Sequence, residues 1–302
     1  MELTDFQKKL VTLLPEIHLA MEEPMAKHTS FRIGGPVEVM AFPKSADELA
    51  KILKASTLLN ITPAIMGAGT NILAPDEGIR GLVICLKDYM DGMEQLDSTH
   101  IRVAAGVTMT RAAVFAAGLG LSGLEFAHGI PGTVGGGVYM NAGAYGGELK
   151  DICCRVEVMD IKGKVRSLSC EEMGFSYRHS VLEDEGGIVV SVIFTLEKKE
   201  TEVIKARMKE LMGKRSASQP LDLPSAGSAF KRPVGGYAAA LIDQTGLKGF
   251  RVGGAAISEK HAGFAVNLGG ATAADVQELL RQVSDKVFGN TGIRLEPEVR
   301  IW

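Results

Sequence analysis

The segment GIPGTVGGGVYMNAGAYGGE (129–148) constrains this chain more than any other, because it crowds Gly129, Gly132, Gly135, Gly136, Gly137, Gly143, Gly146 and Gly147 together. Each glycine costs a helix or strand roughly 0.5–1 kcal/mol relative to alanine. Core packing gives no reason for such density, whereas backbone wrapped closely around a ligand does. A second turn, Gly67-Ala68-Gly69-Thr70-Asn71, follows the apolar run ITPAIM and offers backbone N–H groups to a phosphate. The third glycine of a dinucleotide-binding βαβ fingerprint is missing, so this turn alone reads equally well as a tight strand-to-loop connection. Two glycine loops in one chain predict an extended dinucleotide ligand.

The remaining composition narrows the class. A length of 302 residues suits two domains or three small ones at roughly 150 residues each. Thirty-three Lys plus Arg against 36 Asp plus Glu give a formal charge of -3, which argues against a nucleic-acid partner. The start, MELTDFQKKLVTLLPEIH, has no unbroken apolar stretch of the secretory kind, and nothing approaches the ~18 apolar residues of a membrane span. A cytoplasmic protein without membrane attachment is expected. Cys85, Cys153, Cys154 and Cys170 form no C-x-x-C pair and read as buried free thiols, Cys153 and Cys154 on opposite strand faces. The six histidines show no ligand spacing, so no metal is expected.

Along the chain, Thr4 and Gln7 stand in capping-box spacing ahead of Leu10, Val11 and Leu14, and Pro15 ends that helix. Val37, Val39 and Ala41 alternate as in a strand, and Ser45 with Glu48 caps a helix carrying Leu49, Ile52 and Leu53. ITPAIM, GLVICL, IRVAAGV, CRVEVMD, KVRSLS and GGIVVSVIFTL read as strands, and TMTRAAVFAAGLG as a helix closing at Gly118 or Gly120. A charged helix, EKKETEVIKARMKELMGKR, turns Ile204, Met208 and Leu211 to one face and sets a boundary near residue 200. Beyond it lie a Pro/Ser/Gly loop, the helix YAAALIDQTG, the strand FAVNL, a helix carrying Val276, Leu279, Leu280, Val283 and Val287, and a closing strand IRLEPEVRIW.

HTSFRIGGP (28–36), GAGTNIL (67–73), GIPGTVGGGVYMNAGAYGGE (129–148), FSYRHS (175–180), PSAGSAFKRP (224–233), KHAGFAVN (260–267) and LEPEVR (295–300) follow one another along nearly the whole chain. Together they resemble the UDP-N-acetylenolpyruvoylglucosamine reductase (UDP-N-acetylmuramate dehydrogenase) family, far more specifically than either glycine loop does. The resemblance implies a mixed α/β (α+β) fold: a two-part FAD-binding region of the vanillyl-alcohol-oxidase (PCMH) type and a C-terminal α+β substrate-binding domain. Residues 1–83 would form the first FAD-binding subdomain, with 295–302 returning to it, 84–200 the second, and 201–294 the substrate-binding domain. It also implies non-covalent FAD and NADPH as hydride donor. The expected reaction reduces the enolpyruvyl double bond of UDP-N-acetyl-3-O-(1-carboxyvinyl)glucosamine to UDP-N-acetylmuramate, a peptidoglycan precursor, with no obligate protein partner.

Carried over by position, the cofactor contacts fall on Gly67, Gly69, Thr70, Asn71 and Ile72, on Gly129, Ile130, Pro131, Gly132, Gly135, Gly136, Asn141, Gly143, Ala144 and Tyr145, and on Arg215. Hydride delivery to C3 of the enolpyruvyl group drives negative charge onto C2 and its carboxylate, which asks for a cation and donors there and for an acid beside C2. The resemblance puts Arg178 and Glu298 at the carboxylate and Ser228 at C2. Read without it, Ser228 is a turn residue, Arg178 the partner of a surface carboxylate and Glu298 a solvated strand residue beside Arg300. Glu296 competes with Glu298, which precedes Val-Arg as the motif requires. Lys231 and Arg232 match donors to the substrate diphosphate, Tyr177 and Arg300 match further substrate contacts, and Arg232 also reads as solvated charge. His128 and His179 are expected to give packing or polar support. Met140 and Ser218 depart from residues common in the family, and the ending soon after Arg300 resembles a shorter subclass without a lid. Two alternatives remain: an alcohol or sugar oxidase of the same fold, and a non-catalytic sensor of FAD or a UDP-sugar.

Overall fold

The computed structural model describes residues 3–302, which fall into two compact units. The first holds residues up to Met21, Glu38–Ala68 and Gly81–Lys214; the second holds Glu22–Val37, Gly69–Arg80 and Arg215–Trp302.

In the first unit, α1 (Asp5–Leu13) starts at the expected capping box, with Thr4 Oγ1 accepting the Gln7 N–H at 3.2 Å and Gln7 Oε1 accepting the Thr4 N–H at 2.9 Å. Ser45 caps α2 (Ala46–Leu58), whose Leu49, Ile52 and Leu53 enter the core. A four-stranded sheet runs in the order His18–Pro24, Pro36–Phe42, Ile79–Cys85, Ala64–Met66. A five-stranded sheet runs Val165–Ser169, Cys153–Met159, Ile188–Thr195, His100–Ala104, Met93–Gln95. Position within that sheet follows composition: the near-continuous apolar run at 188–195 is central and buried, while VRSLS at 165–169 forms an exposed edge. α3 (Met109–Gly118) buries Ala112, Ala113, Ala116 and Ala117; the short α4 (Val134–Tyr139) and α5 (Leu182–Glu185) follow. α6 (Thr201–Ser218) buries Ile204, Met208 and Leu211 as its spacing predicts, and the units part within it, between Lys214 and Arg215.

The second unit has an antiparallel sheet in the order Ser225–Ser228, Phe264–Asn267, Ala255–Ile257, Arg251–Val252, with α7 (Ala238–Gln244) and α8 (Ala273–Thr291). Val276, Leu279, Leu280, Val283 and Val287 of α8 are all buried, each worth roughly 1.5–3 kcal/mol of removed apolar surface. The start of α8 is doubly capped, by the Thr272–Asp275 box and by Asp76, whose carboxylate accepts the Ala273 N–H at 2.8 Å. Asn267, buried, donates to Phe31 O at 3.0 Å and accepts the Gly269 and Ala271 N–H groups.

Two expectations need correction. IRLEPEVRIW is no continuous strand: Pro297 makes an isolated antiparallel bridge to Phe230, and Arg300–Ile301 pairs in parallel with Ile72–Leu73. Its main chain changes partners along its length, exchanging bonds with Ala229 and Lys231 around residues 296–298 and with Asn71 and Leu73 at residues 300 and 302. Nor are all four free thiols buried, since Cys154 is exposed and Cys170 half-exposed. Cys154 is the extra residue of a bulge against Ile188–Thr195, which turns it outward while Cys153 remains in the core.

Candidate active site

The glycine segment lies in the first unit and serves the chain's own packing more than its sequence suggests. A Cβ on Gly135 would come within 2.8 Å of Ala105 Cβ, and one on Gly147 within 2.7 Å of Phe126 Cδ1. Gly67 is pressed against Thr133, where a Cβ would collide with Oγ1 and lie 3.2 Å from Cβ and Cγ2. Thr133 was not singled out from sequence, yet it joins the two glycine loops, since its Oγ1 also accepts the Gly136 N–H at 3.3 Å at the head of α4. Gly136 and Gly146 differ: the first is exposed and would meet only Thr133 Oγ1 at 3.5 Å, and the second would meet nothing within 4 Å. Packing demands glycine at neither: the left-handed backbone calls for it at Gly146, while Gly136 leaves bare backbone for a ligand to approach.

Beyond α4 the chain enters strained geometry. Asn141 takes φ +43°, and Tyr145 (φ +54°) with Gly146 (φ +87°) forms the two-residue tip of the hairpin Gly143–Ala144/Gly147–Glu148. The Asn141 side chain is buried and engaged by the chain itself: Nδ2 donates to Glu148 Oε2 at 2.7 Å and to Ser176 O at 3.0 Å, and Oδ1 accepts the Lys150 N–H at 3.1 Å. Ser176 and His179 close a tight turn by exchanging main-chain bonds at 3.1 and 3.3 Å, with Tyr177 and Arg178 at its tip. Arg178 sits at φ +56°, its guanidinium carbon 5.1 Å from the Tyr177 ring centroid. Below the turn, Ser180 Oγ donates to Tyr139 O at 2.8 Å, and His179 Nε2 meets Asp184 Oδ2 at 3.0 Å, the polar support expected of that histidine. His128, with Lys205, Met208, Lys209, Met212 and Gly213, lines a cavity of about 560 Å³ beside α6.

In the second unit, Gly227 (φ +75°) lies in a register shift between Ser225 and Ser228, which leaves Ser228 exposed at the end of its edge strand while Ala226 and Ala229 are buried. Just past that strand the chain is bonded to the 296–298 segment: Lys231 N–H donates to Glu296 O and Glu298 N–H to Ala229 O, both at 2.9 Å. Glu298 is also fixed by Asn71, whose Nδ2 donates to Glu298 O at 3.1 Å while Asn71 O accepts the Arg300 N–H at 2.9 Å. Ser228, Glu298, Asn71, Ile72 and Arg300 therefore form one local structure. Lys231 Nζ lies 3.6 Å from Glu296 Oε2, and the Arg232 guanidinium stacks 4.1 Å from the Tyr237 ring centroid. Glu296 is spent on Lys231, whereas Glu298 is half-buried beside the serine strand. Gly69, at φ +59°, and Thr70 lead into this structure, and Arg215 is buried in the last turn of α6. His261 Nδ1 accepts the Gly263 N–H at 3.1 Å, and burial holds this imidazole below the ordinary histidine range.

Among the described residues, no cluster of three or more His, Cys, Asp or Glu could hold a metal ion, and no helix is long and apolar enough to cross a membrane.

Known proteins match the same two stretches. Residues 37–169 match an FAD-binding-domain family and residues 219–302 the C-terminal domain of UDP-N-acetylenolpyruvoylglucosamine reductase. The reductase of Caldanaerobacter subterraneus subsp. tengcongensis is 45% identical over 97% of this chain and 96% of its own, and that of Agathobacter rectalis 44% identical over 98% of both. The crystal structure of the Thermus caldophilus reductase superposes with a TM-score of 0.80 at 38% identity, covering 95% of this chain and 99% of that one. An alkyldihydroxyacetonephosphate synthase shares fold alone, at a TM-score of 0.50 and 15% identity. The oxidase and sensor alternatives gain no support from relatives this similar. With relatives 44–45% identical over 97–98% of its length, the chain belongs to the UDP-N-acetylenolpyruvoylglucosamine reductase family.

Proposed function

We propose that this protein reduces the enolpyruvyl double bond of UDP-N-acetyl-3-O-(1-carboxyvinyl)glucosamine at the expense of NADPH, with FAD as its cofactor, to give UDP-N-acetylmuramate. The observation that carries the reading is the relation at 45% identity over 97% of the chain to a reductase of that name. The residues present suit FAD: Gly136 bares the backbone where packing does not require it, and a family of FAD-binding domains matches residues 37–169. Gly67, Gly69, Thr70, Asn71 and Ile72, with Gly129, Ile130, Pro131, Gly132, Gly135, Gly136, Gly143, Ala144, Tyr145 and Arg215, would hold it, whereas the expected contact from Asn141 is withdrawn because its side chain is bonded within the chain. The division into FAD-binding subdomains 1–83 and 84–200 and a substrate-binding part 201–294 belongs to this reading.

When bound, FAD would supply two-electron hydride transfer between NADPH and the enolpyruvyl C3. The chain's own residues do the rest. Arg178 sets a fixed cation at the substrate carboxylate, where charge accumulates as C3 is reduced, and Glu298 polarises the same group. Ser228 holds a proton on Oγ and gives it to C2, so that one hydride and one proton add across the double bond. Lys231 and Arg232 hold the diphosphate, with Tyr177 and Arg300 as further contacts; Lys231 must exchange Glu296 for phosphate oxygen to do so. A ping-pong order follows if NADP⁺ leaves before the enolpyruvyl substrate enters. We place the reaction in the cytoplasm, where four free thiols are in keeping with a reducing compartment.

The test is stoichiometry: purified enzyme with NADPH and the enolpyruvyl substrate should yield one UDP-N-acetylmuramate, measured by mass spectrometry, per NADPH consumed. Hydrogen peroxide formed from an alcohol and oxygen, without NADPH consumption, would favour the oxidase. Binding of FAD and UDP-sugar without turnover would favour the sensor.

A further inference from the structure

We propose that Asn141 is a positioning residue for Arg178, an inference that rests on the role given to Arg178 above. A carboxamide has two N–H donors and one acceptor oxygen, and here Nδ2 reaches both Glu148 Oε2 and Ser176 O while Oδ1 takes the Lys150 N–H. With the residue 1% exposed, the side chain is used up inside the protein and has little left for a cofactor or substrate.

What those bonds join is informative. Two of the three close the loop 141–150 on itself, tying the end of the glycine segment to Glu148 and Lys150. The third leaves that loop and ends on Ser176 O, which also accepts the His179 N–H that closes the Tyr177–Arg178 turn. One amide therefore fixes the glycine segment and the base of the turn in the same frame. The turn needs such a hold, because Arg178 occupies the left-handed region at φ +56°, a conformation that persists only where surrounding structure imposes it. Asn141 is itself left-handed at φ +43°, so asparagine answers two demands: it tolerates that backbone and it carries the donors. The parallel tie from Ser180 Oγ to Tyr139 O grips the other side of the turn, and the Val181 N–H closes its neck on Met173 O, so that Asn141 is the side chain that meets the turn at Ser176.

The experiment is a double-mutant cycle on the FAD-loaded enzyme, measuring flavin reduction by NADPH and flavin reoxidation by the enolpyruvyl substrate separately. Asn141→Gly keeps the left-handed backbone without strain and removes the amide. It should leave flavin reduction within about 3-fold of wild type and slow reoxidation at least 10-fold, as expected for a group acting only on the second half-reaction. In an Arg178→Ala background the same change should cost less than about 3-fold more, because residues acting as a unit are not additive. Fully multiplicative losses, or equal slowing of both half-reactions, would overturn the proposal. Should Asn141→Gly fail to fold, Asn141→Asp, which also tolerates this backbone but sets a carboxylate against Glu148, enters the same cycle with the same expectations. An Arg178→Ala enzyme with unaltered reoxidation would instead refute the role of Arg178, a result separable from failure of the coupling.

Discussion

The turn carrying Arg178 and the strand carrying Ser228 present their side chains by contrasting means. Arg178 stands on a tight turn gripped by side chains from below, Asn141 on one flank and Ser180 on the other, with a strained backbone that those bonds maintain. Ser228 is presented mostly by main-chain pairing: a glycine-assisted shift in an edge strand exposes it and the 296–298 segment bonds nearby, with side-chain ties only at its margins, from Ser30 Oγ to Ser225 O and from Asn71 Nδ2 to Glu298 O. Arg178 is fixed by named side chains, and Ser228 by strand geometry. Substitutions near the turn should therefore act through particular hydrogen bonds, while the serine site should tolerate side-chain changes around it and respond to backbone changes.

The largest expected effect sharpens that contrast. Arg178→Ala should slow flavin reoxidation by the enolpyruvyl substrate by about 10²–10³-fold, the range for losing one fixed group at developing charge, with reduction by NADPH little changed. Rapid-mixing absorbance measures both. Next comes the contact between the glycine loops. Gly67→Ala drives a methyl into Thr133 and should cost about 1–3 kcal/mol in denaturant unfolding, with loss of bound flavin. Adding Thr133→Ala should return part of that stability; no recovery would mean that Gly67 is glycine for another reason.

A smaller effect belongs to the second unit. Thr272→Ala removes the cap of α8 and should cost about 1 kcal/mol of stability while both half-reactions keep their rates, since the Thr272 hydroxyl accepts the Asp275 N–H at the head of the helix and touches neither Ser228 nor Glu298. The smallest concerns pH. Burial pushes the Cys85 thiol up to about 11 and the Cys153 thiol up to about 12. A raised thiol favours the folded state below the ordinary thiol value and loses that contribution as pH rises through the folded one, so these two contribute up to about pH 9 and weaken the fold above it. Near pH 8 a thiol reagent should modify exposed Cys154 first, Cys170 more slowly, and neither Cys85 nor Cys153 until the protein unfolds.

Most elements were legible because their signals are local. The Thr4–Gln7 box, the Ser45 cap and the spacing of Val276, Leu279, Leu280, Val283 and Val287 are decided within a few residues, and all three helices form as read. What escaped depends on distant partners. The closing segment looked like one strand because each half does pair, and only the fold reveals that the partners differ. Residues 22–37 and 69–80 join the second unit although nothing local marks them, because what holds them there lies far along the chain, as with Asn267 on Phe31 and Asp76 on Ala273. The glycine segment was read as ligand-lining throughout, yet Gly135 and Gly147 answer to Ala105 and Phe126, contacts that no spacing rule reports. Among the expected site residues, Arg178, Ser228 and Glu298 came from a family pattern rather than from periodicity. Thr133 was legible in principle, as a threonine three positions before the exposed glycine that it caps.

The most direct test of the division between a side-chain-held cation and a strand-presented acid is Ser228→Ala, studied anaerobically with one equivalent of NADPH and then the enolpyruvyl substrate. The flavin spectrum should bleach with NADPH at nearly the wild-type rate and return with substrate more slowly by about 10²–10⁴-fold, the loss expected for a general acid. Reoxidation at the wild-type rate would contradict the account and move the proton donor elsewhere.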